Sequence, residues 1–312
     1  MAPSRTPSAP SKLGNEQVVS PGVASASSAN PNAGGGELCE LVTPDRRRLF
    51  ARRWGNRDSD YVFVVVHGLG EHAGQYERLA EQAMRRGQAV LAYDQHGHGW
   101  SPGRRGDVGT IETLVADIDT ALKAAAENFP SAKPVLMAHS MGGNITLNYL
   151  MRDLDREPPP AILTNPMILP PKPPTRPQLF AAWLTGKIIP RFRVRSPADP
   201  QKLTQDVEVL KQLAADPMMH NSLSIGLGTQ LLTSGQWLLD HTQRLRSPVL
   251  VLLGGDDELT DQRSTETFTR QCRAYCEVFR FAGLRHSLLL ELQRQQVYDA
   301  IFAWISGDRM DS

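Results

Sequence analysis

The chain has 312 residues, the length of one large α/β domain with room for an insertion. Hydrophobic residues make up 40%, enough to fill a sizeable core and to exclude disorder for the chain as a whole. With 34 Lys+Arg against 33 Asp+Glu the formal charge is +1, so no global positive field exists to hold nucleic acid, and that partner is not expected.

Residues 1–36 are dominated by Ser, Pro, Ala, Gly and Asn, too little apolar surface to offset ordering entropy, and are expected to form a disordered tail. No apolar segment follows Arg5 and Lys12 to act as a secretory core, and no stretch approaches the roughly 20 apolar residues that span a bilayer. Cys39, Cys272 and Cys276 are an odd number without zinc-like spacing, which reads as thiols in a reducing cytoplasm.

Ordered structure is expected from residue 37 to the end. Glu37 to Thr43, a Pro44-Asp45-Arg46 turn and Leu49 to Trp54 read as an antiparallel hairpin. Short apolar runs follow at Val62–Val66, Ala89–Tyr93, Val135–Ala138, Ala161–Thr164, Val249–Leu253 and Val278–Phe281. Continuous apolar strands imply a sheet buried on both faces, hence a mostly parallel one. Between them, Tyr76, Leu79, Ala80, Ala83 and Met84 recur at helical spacing, as do Ile111, Leu114, Val115, Ile118 and Leu122. Leu292, Val297, Ile301, Phe302 and Ile305 predict a closing C-terminal helix. Such alternation gives an α/β fold, a doubly wound sheet of about eight strands. One interval breaks the rhythm. From about Met167 to Asp240 the chain is too long for a single crossover helix and opens on Pro170, Pro171, Pro173, Pro174 and Pro177, so it reads as a helical cap inserted over the catalytic face.

Ala138-His139-Ser140-Met141-Gly142-Gly143 lies between an apolar strand and the helical run Ile145–Met151. A serine on such a sharp strand-to-helix turn is exposed at the top of the sheet, with the next N–H and the helix N-terminus facing any developing negative charge. The turn tolerates only small flanking residues; Ala138 stands where G-x-S-x-G has its first glycine. The glycine-rich loop His67-Gly68-Leu69-Gly70-Glu71-His72, after another strand, can supply a second donor, so the N–H groups of Leu69 and Met141 are the expected oxyanion hole. His67 and His72 are expected to bond loop backbone instead of taking part in chemistry.

Of eight histidines, His286 is the candidate base, because it alone lies beyond the last strand, in the order Ser, acid, His. His139 adjoins Ser140, and a turn that exposes one side chain aims its neighbour elsewhere. His96 and His98 form an H-x-H that could suggest a metal, but no further ligands accompany them, so no metal and no cofactor is expected. The acid is sought in Gly254-Gly255-Asp256-Asp257-Glu258-Leu259-Thr260-Asp261, which offers three aspartates.

In combination, His67-Gly68-x-Gly70-Glu71-His72, Gln75-Tyr76, Asp94-x-x-Gly97-His98-Gly99-x-Ser101-x-Gly103, His139-Ser140-Met141-Gly142-Gly143 and Gly254-x-x-Asp257-x-Leu259-x-Asp261 resemble the monoglyceride lipase and lysophospholipase family of α/β hydrolases. The resemblance runs from about Glu37 to the C-terminus. It implies the α/β-hydrolase fold, Asp257 as the catalytic acid with Asp261 as its structural partner, Leu69 and Met141 as oxyanion donors, and His286 as base. Departures are Ala138, His96 and Gln75 where Arg is usual, and Arg46 where the hairpin often has Gly. The cap is poorly matched.

These readings converge on a serine carboxylic-ester hydrolase that passes an acyl group to Ser140 and then to water, with a single-chain lipid ester, a monoacylglycerol first of all, as substrate. A lysophospholipid or short-chain ester is the alternative. Peptidase or acyltransferase chemistry would use the same core motif with another leaving group or acceptor. A catalytically silent fold serving as an interaction module is the reading from another class, and the intact triad argues against it. In the cap, Leu179, Phe180, Trp183, Leu184 and Ile188 recur at helical spacing beside Lys187, Arg191, Arg193 and Arg195. Such a stripe either packs on the hydrolase core or borders the Ser140 pocket. Phe180 and Trp183 are accordingly the candidate substrate-binding residues, with the cap as a peripheral membrane contact of an otherwise cytoplasmic protein.

Overall fold

Eight strands form the central sheet. The hairpin of β1 (Glu37–Val42) and β2 (Arg48–Trp54) comes first, followed by β3 (Tyr61–Val66), helix α1 (Glu77–Met84), β4 (Ala89–Tyr93), α2 (Ile111–Asn128), β5 (Lys133–His139), α3 (Met141–Leu150) and β6 (Ala161–Thr164). After β6 comes the long interval, with α4 (Arg176–Ile188), β7 (Arg193–Arg195), α5 (Val207–Ala215), β8 (Ser222–Ser224) and α6 (Ile225–Asp240). The chain closes with β9 (Val249–Gly254), α7 (Gln262–Gln271), β10 (Cys276–Phe281) and α8 (Arg294–Ser306). The computed structural model describes residues 35–152, 157–172, 175–196 and 198–307. The expected N-terminal tail therefore lies, except for Gly35 and Gly36, outside the described residues, as do Pro173 and Pro174.

The strand order is β1-β2-β4-β3-β5-β6-β9-β10, with β2 antiparallel to both neighbours and every other pairing parallel. This arrangement puts β3 and β5 at the centre, where Val64 is in register with Leu91 on one side and Leu136 on the other. Alternation along β3 explains its wholly apolar sequence. Val62, Val64 and Val66 enter the core layer shared with α2 and α3, while Phe63 and Val65 enter the opposite layer, shared with α1 and α8. Both faces are covered, as expected of a parallel sheet between helices.

Local chemistry sets the boundaries. Thr110 caps α2 by accepting from the Thr113 N–H, Asp206 caps α5, Ser224 caps α6 and Asp261 caps α7, while Gly307 ends α8 at φ 75°. Arg46 adopts φ 65° in the β1–β2 turn, which accounts for the glycine usual there. Its neighbour Arg47 grips the fully buried Asp117 of α2 with two hydrogen bonds of 3.0 and 2.6 Å, tying hairpin to helix.

Three expectations need correction. Leu292 precedes α8 and is 59% exposed, because the chain turns through Glu291 before the helix starts. Val278 is exposed, because β10 is an edge strand covered on one side only. The interval from 167 to 240 is not purely helical: β7 and β8 pair antiparallel, Val194 opposite Leu223. Its last helix, α6, also belongs to the core, where Leu227, Leu231 and Leu238 are buried, and it crosses so close to the chain that a Cβ on Gly235 would meet Ile168 O at 1.8 Å.

Candidate active site

The C-terminal ends of β3, β5, β6 and β9, together with the loop after β10, converge on one place. Ser140 occupies the turn from β5 into α3 with φ 51° and ψ −116°, a conformation that an L-residue holds only when its surroundings fix it. Those surroundings are visible. The Ser140 N–H donates to Thr164 O at 3.1 Å, and the Met167 N–H donates to Ser140 O at 2.9 Å. A Cβ on Gly142 would lie 2.0 Å from Val66 O, and one on Gly143 would lie 2.6 Å from Pro166 Cβ. Ala138 is fully buried yet fits.

His286, in the loop after β10, places Nε2 2.9 Å from Ser140 Oγ and Nδ1 3.0 Å from Asp257 Oδ1. An ionised carboxylate only accepts, so Nδ1 carries the proton and Nε2 accepts from the serine hydroxyl. Asp257 is 7% exposed, and its Oδ1 also accepts from the Leu259 N–H at 2.8 Å while Oδ2 accepts from Thr260 Oγ1 at 2.5 Å. Burial alone would raise this carboxyl. The His286 ring and the hydrogen bonds from His286, Thr260 and Leu259 outweigh burial and hold it below the ordinary carboxylate value. Asp256, by contrast, is exposed, and Asp261 accepts from the Ser264 N–H at the start of α7. Of the three aspartates, only Asp257 meets the imidazole.

Leu69 lies in the loop after β3, and Met141 is the first residue of α3, where an N–H has no partner within its own helix. Among the described residues no acceptor takes either N–H. The loop itself is held by Glu71, whose Oε2 accepts from the Gly68 N–H at 2.8 Å and from the Tyr76 hydroxyl at 2.9 Å. His67 bonds backbone as expected, with Nε2 accepting from the Gln95 N–H at 3.0 Å. His72 accepts from the Gly74 N–H at 3.2 Å and pairs with Asp216 at 2.7 Å. His98 is fully buried, its ring 5.1 Å from that of His67 and 4.6 Å from that of His220. Among the described residues no cluster of three or more His, Cys, Asp or Glu could hold a metal.

The long interval grips this site from several sides. Its His220 N–H donates to Gly70 O at 3.2 Å, and a Cβ on Gly70 would fall 1.9 Å from His220 O. At Gly106 a Cβ would fall 2.0 Å from Ser222 O. Gln75, which replaces the usual arginine, reaches Met219 Sδ. On the opposite flank the buried Glu291 accepts from Thr204 Oγ1 at 2.8 Å, from the Gln205 N–H at 2.9 Å and from the Arg285 N–H at 2.7 Å. Lys202 pairs with Glu258 at 2.5 Å.

Phe180 and Trp183 are surface residues of α4. They stack on each other at 5.8 Å on α4, 65% and 42% exposed, with Lys187 3.9 Å above the Trp183 ring. No described contact brings either to Ser140. The stripe does not pack on the core either, since Leu184 and Ile188 are exposed as well.

The family profile described as "Serine aminopeptidase, S33" matches residues 57–293. An uncharacterized abhydrolase domain-containing protein of Dictyostelium discoideum is 27% identical over 86% of this chain, which spans 29% of that relative's length. A monoacylglycerol lipase of Mycolicibacterium smegmatis is 29% identical over 78% of this chain and 87% of its own length. The crystal structure of a Paleococcus ferrophilus monoacylglycerol lipase superposes with a TM-score of 0.74 at 25% identity, covering 84% of this chain and 99% of that one. With an eight-stranded sheet of matching fold and a profile match over most of its length, the chain belongs to the serine aminopeptidase S33 family and is a serine ester hydrolase of the α/β-hydrolase fold.

Proposed function

We propose that the protein hydrolyses single-chain lipid esters, monoacylglycerols first among them, through an acyl-enzyme on Ser140. The observation that carries the chemistry is the unbroken hydrogen-bond chain from Ser140 Oγ through His286 to Asp257, at 2.9 and 3.0 Å. Ser140 Oγ attacks the ester carbonyl while His286 Nε2 takes its proton, and Asp257 holds the imidazole in the required tautomer and stabilises its charged form. The Leu69 and Met141 N–H groups receive the tetrahedral oxyanion. The leaving alcohol departs with the proton from His286, and a water activated by the same imidazole then releases the fatty acid.

The substrate class is supported by the relatives named monoacylglycerol or monoglyceride lipases. A surface feature agrees with it. Phe180, Trp183, Leu184, Ile188, Ile189 and Phe192 are exposed beside Lys187, Arg191, Arg193 and Arg195, a combination suited to an anionic membrane from which a single-chain ester is drawn. Among the described residues no helix is long and apolar enough to cross a membrane. In this reading Phe180 and Trp183 admit the acyl chain.

The test combines two measurements. A fluorophosphonate probe should label the wild type at Ser140 and leave Ser140→Ala unlabelled; labelling of Ser101 or another serine at full stoichiometry would overturn the assignment. A panel of monoacylglycerols and p-nitrophenyl esters of graded length should then give its highest kcat/KM on a monoacylglycerol. A preference for lysophospholipids or short esters would replace the substrate class and leave the mechanism standing.

A further inference from the structure

The acid and the base approach each other on two separate loops, and both loops meet one side chain that takes no part in the chemistry. Asn165 follows β6 directly, is fully buried and adopts φ 41°. Its Nδ2 donates to His286 O at 2.7 Å and to Arg285 O at 3.1 Å. Its Oδ1 accepts from the Gly254 N–H at 2.9 Å, at the point where β9 opens into the Asp257 loop. The Asn165 N–H donates to Leu252 O at 2.9 Å. On either side, Thr164 O and the Met167 N–H hold the two backbone polar groups of Ser140.

The four residues from Thr164 to Met167 therefore touch all three elements of the proposed triad. Asn165 supplies the side-chain share, and both polar atoms of its side chain are used. The loops leave little other room for adjustment, since a Cβ on Gly254 would lie 2.4 Å from Arg285 O. The left-handed backbone suits asparagine, one of the few residues besides glycine that visit that region routinely. A serine or alanine would lack both the reach and the conformational tolerance.

We propose that Asn165 is a positioning residue that sets the His286 imidazole in register with Asp257 and Ser140, a role that rests on the reading of those three residues given above. The side chain fixes the His286 carbonyl, and with it the origin of the side chain whose two nitrogens must meet partners at 2.9 and 3.0 Å. A misplacement of about 1 Å at such a centre can cost on the order of 10²-fold in rate.

The experiment uses the full chain with Asn165→Asp, which keeps shape, backbone tolerance and the acceptor for Gly254 but cannot donate when ionised. Alongside it goes Asn165→Gly, which keeps the left-handed backbone without strain and removes the side chain. Ile118→Ala, in the remote core layer under α2, is the control for lost stability alone. On an activated ester, at a temperature where all variants are folded by circular dichroism, both Asn165 variants should lose about 10- to 100-fold in kcat with little change in KM. Fluorophosphonate labelling should slow in parallel, and the pH–rate profile should change shape. Ile118→Ala should keep the wild-type kcat and profile while melting lower. Wild-type kcat and profile in both Asn165 variants, or an equal loss of kcat in Ile118→Ala, would overturn the proposal. Ser140→Ala, run beside them, separates the two levels: if it retained hydrolysis, the triad reading itself would fall, whereas an inactive Ser140→Ala with fully active Asn165 variants removes only the role of Asn165.

Discussion

Glu71 Oε1 lies 3.5 Å from His139 Nε2, and the His139 ring lies 4.7 Å from that of His286, so a buried carboxylate–imidazole pair stands behind the proposed base. Burial would raise the Glu71 carboxyl, but His139, the Gly68 N–H, His67 and the Tyr76 hydroxyl together hold it below the ordinary value, and it stays ionised. Its hold on Gly68 fixes the residue just before Leu69. Glu71→Gln should lower stability by about 2 kcal/mol through lost charge-assisted bonds, read by urea denaturation. It should also lower kcat, whereas Tyr76→Phe, which removes one donor and no charge, should do less.

Asp257→Asn should reduce kcat by about 10⁴-fold, the loss seen when the same constellation is given the wrong imidazole tautomer. Asp256→Asn changes an exposed side chain and should leave the steady-state rate close to wild type. A larger loss at Asp256 would show that the acid has been assigned one residue too late.

Gly142→Ala should prevent folding or cost several kcal/mol, because its Cβ would sit 2.0 Å from Val66 O and 2.7 Å from His67 O, both backbone atoms of a central strand and its loop. Ala138→Gly, which restores the glycine common at the start of this motif, should be tolerated with a loss of about 0.5–1 kcal/mol. Melting temperatures of the two variants test the contrast.

Stability should fall on the acid side. Burial, aided by Arg105, His67 and Arg193 nearby, lowers His220 from 6.5 to about 4, although a hydrogen bond with Gly97 opposes it; burial likewise lowers His67, His98 and His139. For such groups the unfolded chain binds protons first, so folding loses free energy as pH drops from about 6.5 towards 4, and the His220 contribution levels off below that. The melting temperature should follow this course, and His220→Gln should make the decline shallower. An unchanged slope in that variant would remove His220 from the account.

Phe180→Ser with Trp183→Ser should weaken vesicle binding and kcat/KM for long-chain monoacylglycerols. Hydrolysis of p-nitrophenyl acetate and the melting temperature should stay near wild type, since both rings are exposed and neither fills the core. Equal loss on both substrates would show that the pair does not serve the acyl chain.

What the sequence made legible was whatever a local pattern encodes. Apolar runs located six of the eight sheet strands, five of them buried on both faces as parallel strands are. The hairpin turn located β1 and β2, and the small residues around Ser140 marked a turn too tight for others. The proposed base was read from chain order alone. Among Asp256, Asp257 and Asp261 chain order could not choose, because all three share one loop; only the family resemblance pointed to Asp257, and in the fold it is the one that meets the imidazole. Asn165 and Glu291 gave no local signal: each works through contacts more than 80 positions away in the chain, to Arg285 and His286 from Asn165 and to Thr204 from Glu291. The β7–β8 pair was missed because strands of three residues carry no readable period. The exposed face of α4 shows the limit of periodicity itself, which identifies a stripe but not what covers it.

The close approaches of His220 to Gly70 and of Ser222 to Gly106 make the insertion a poor candidate for simple transplantation. Swapping substrate preference between relatives by exchanging residues 167–240 alone would set a foreign backbone against seats shaped for this one. A working chimera would have to carry the receiving side as well: glycine at 70 and 106, and a carboxylate at 291 to meet the incoming Thr204 and Gln205. Lineages that diversified the insertion would be expected to have changed these seats in step with it.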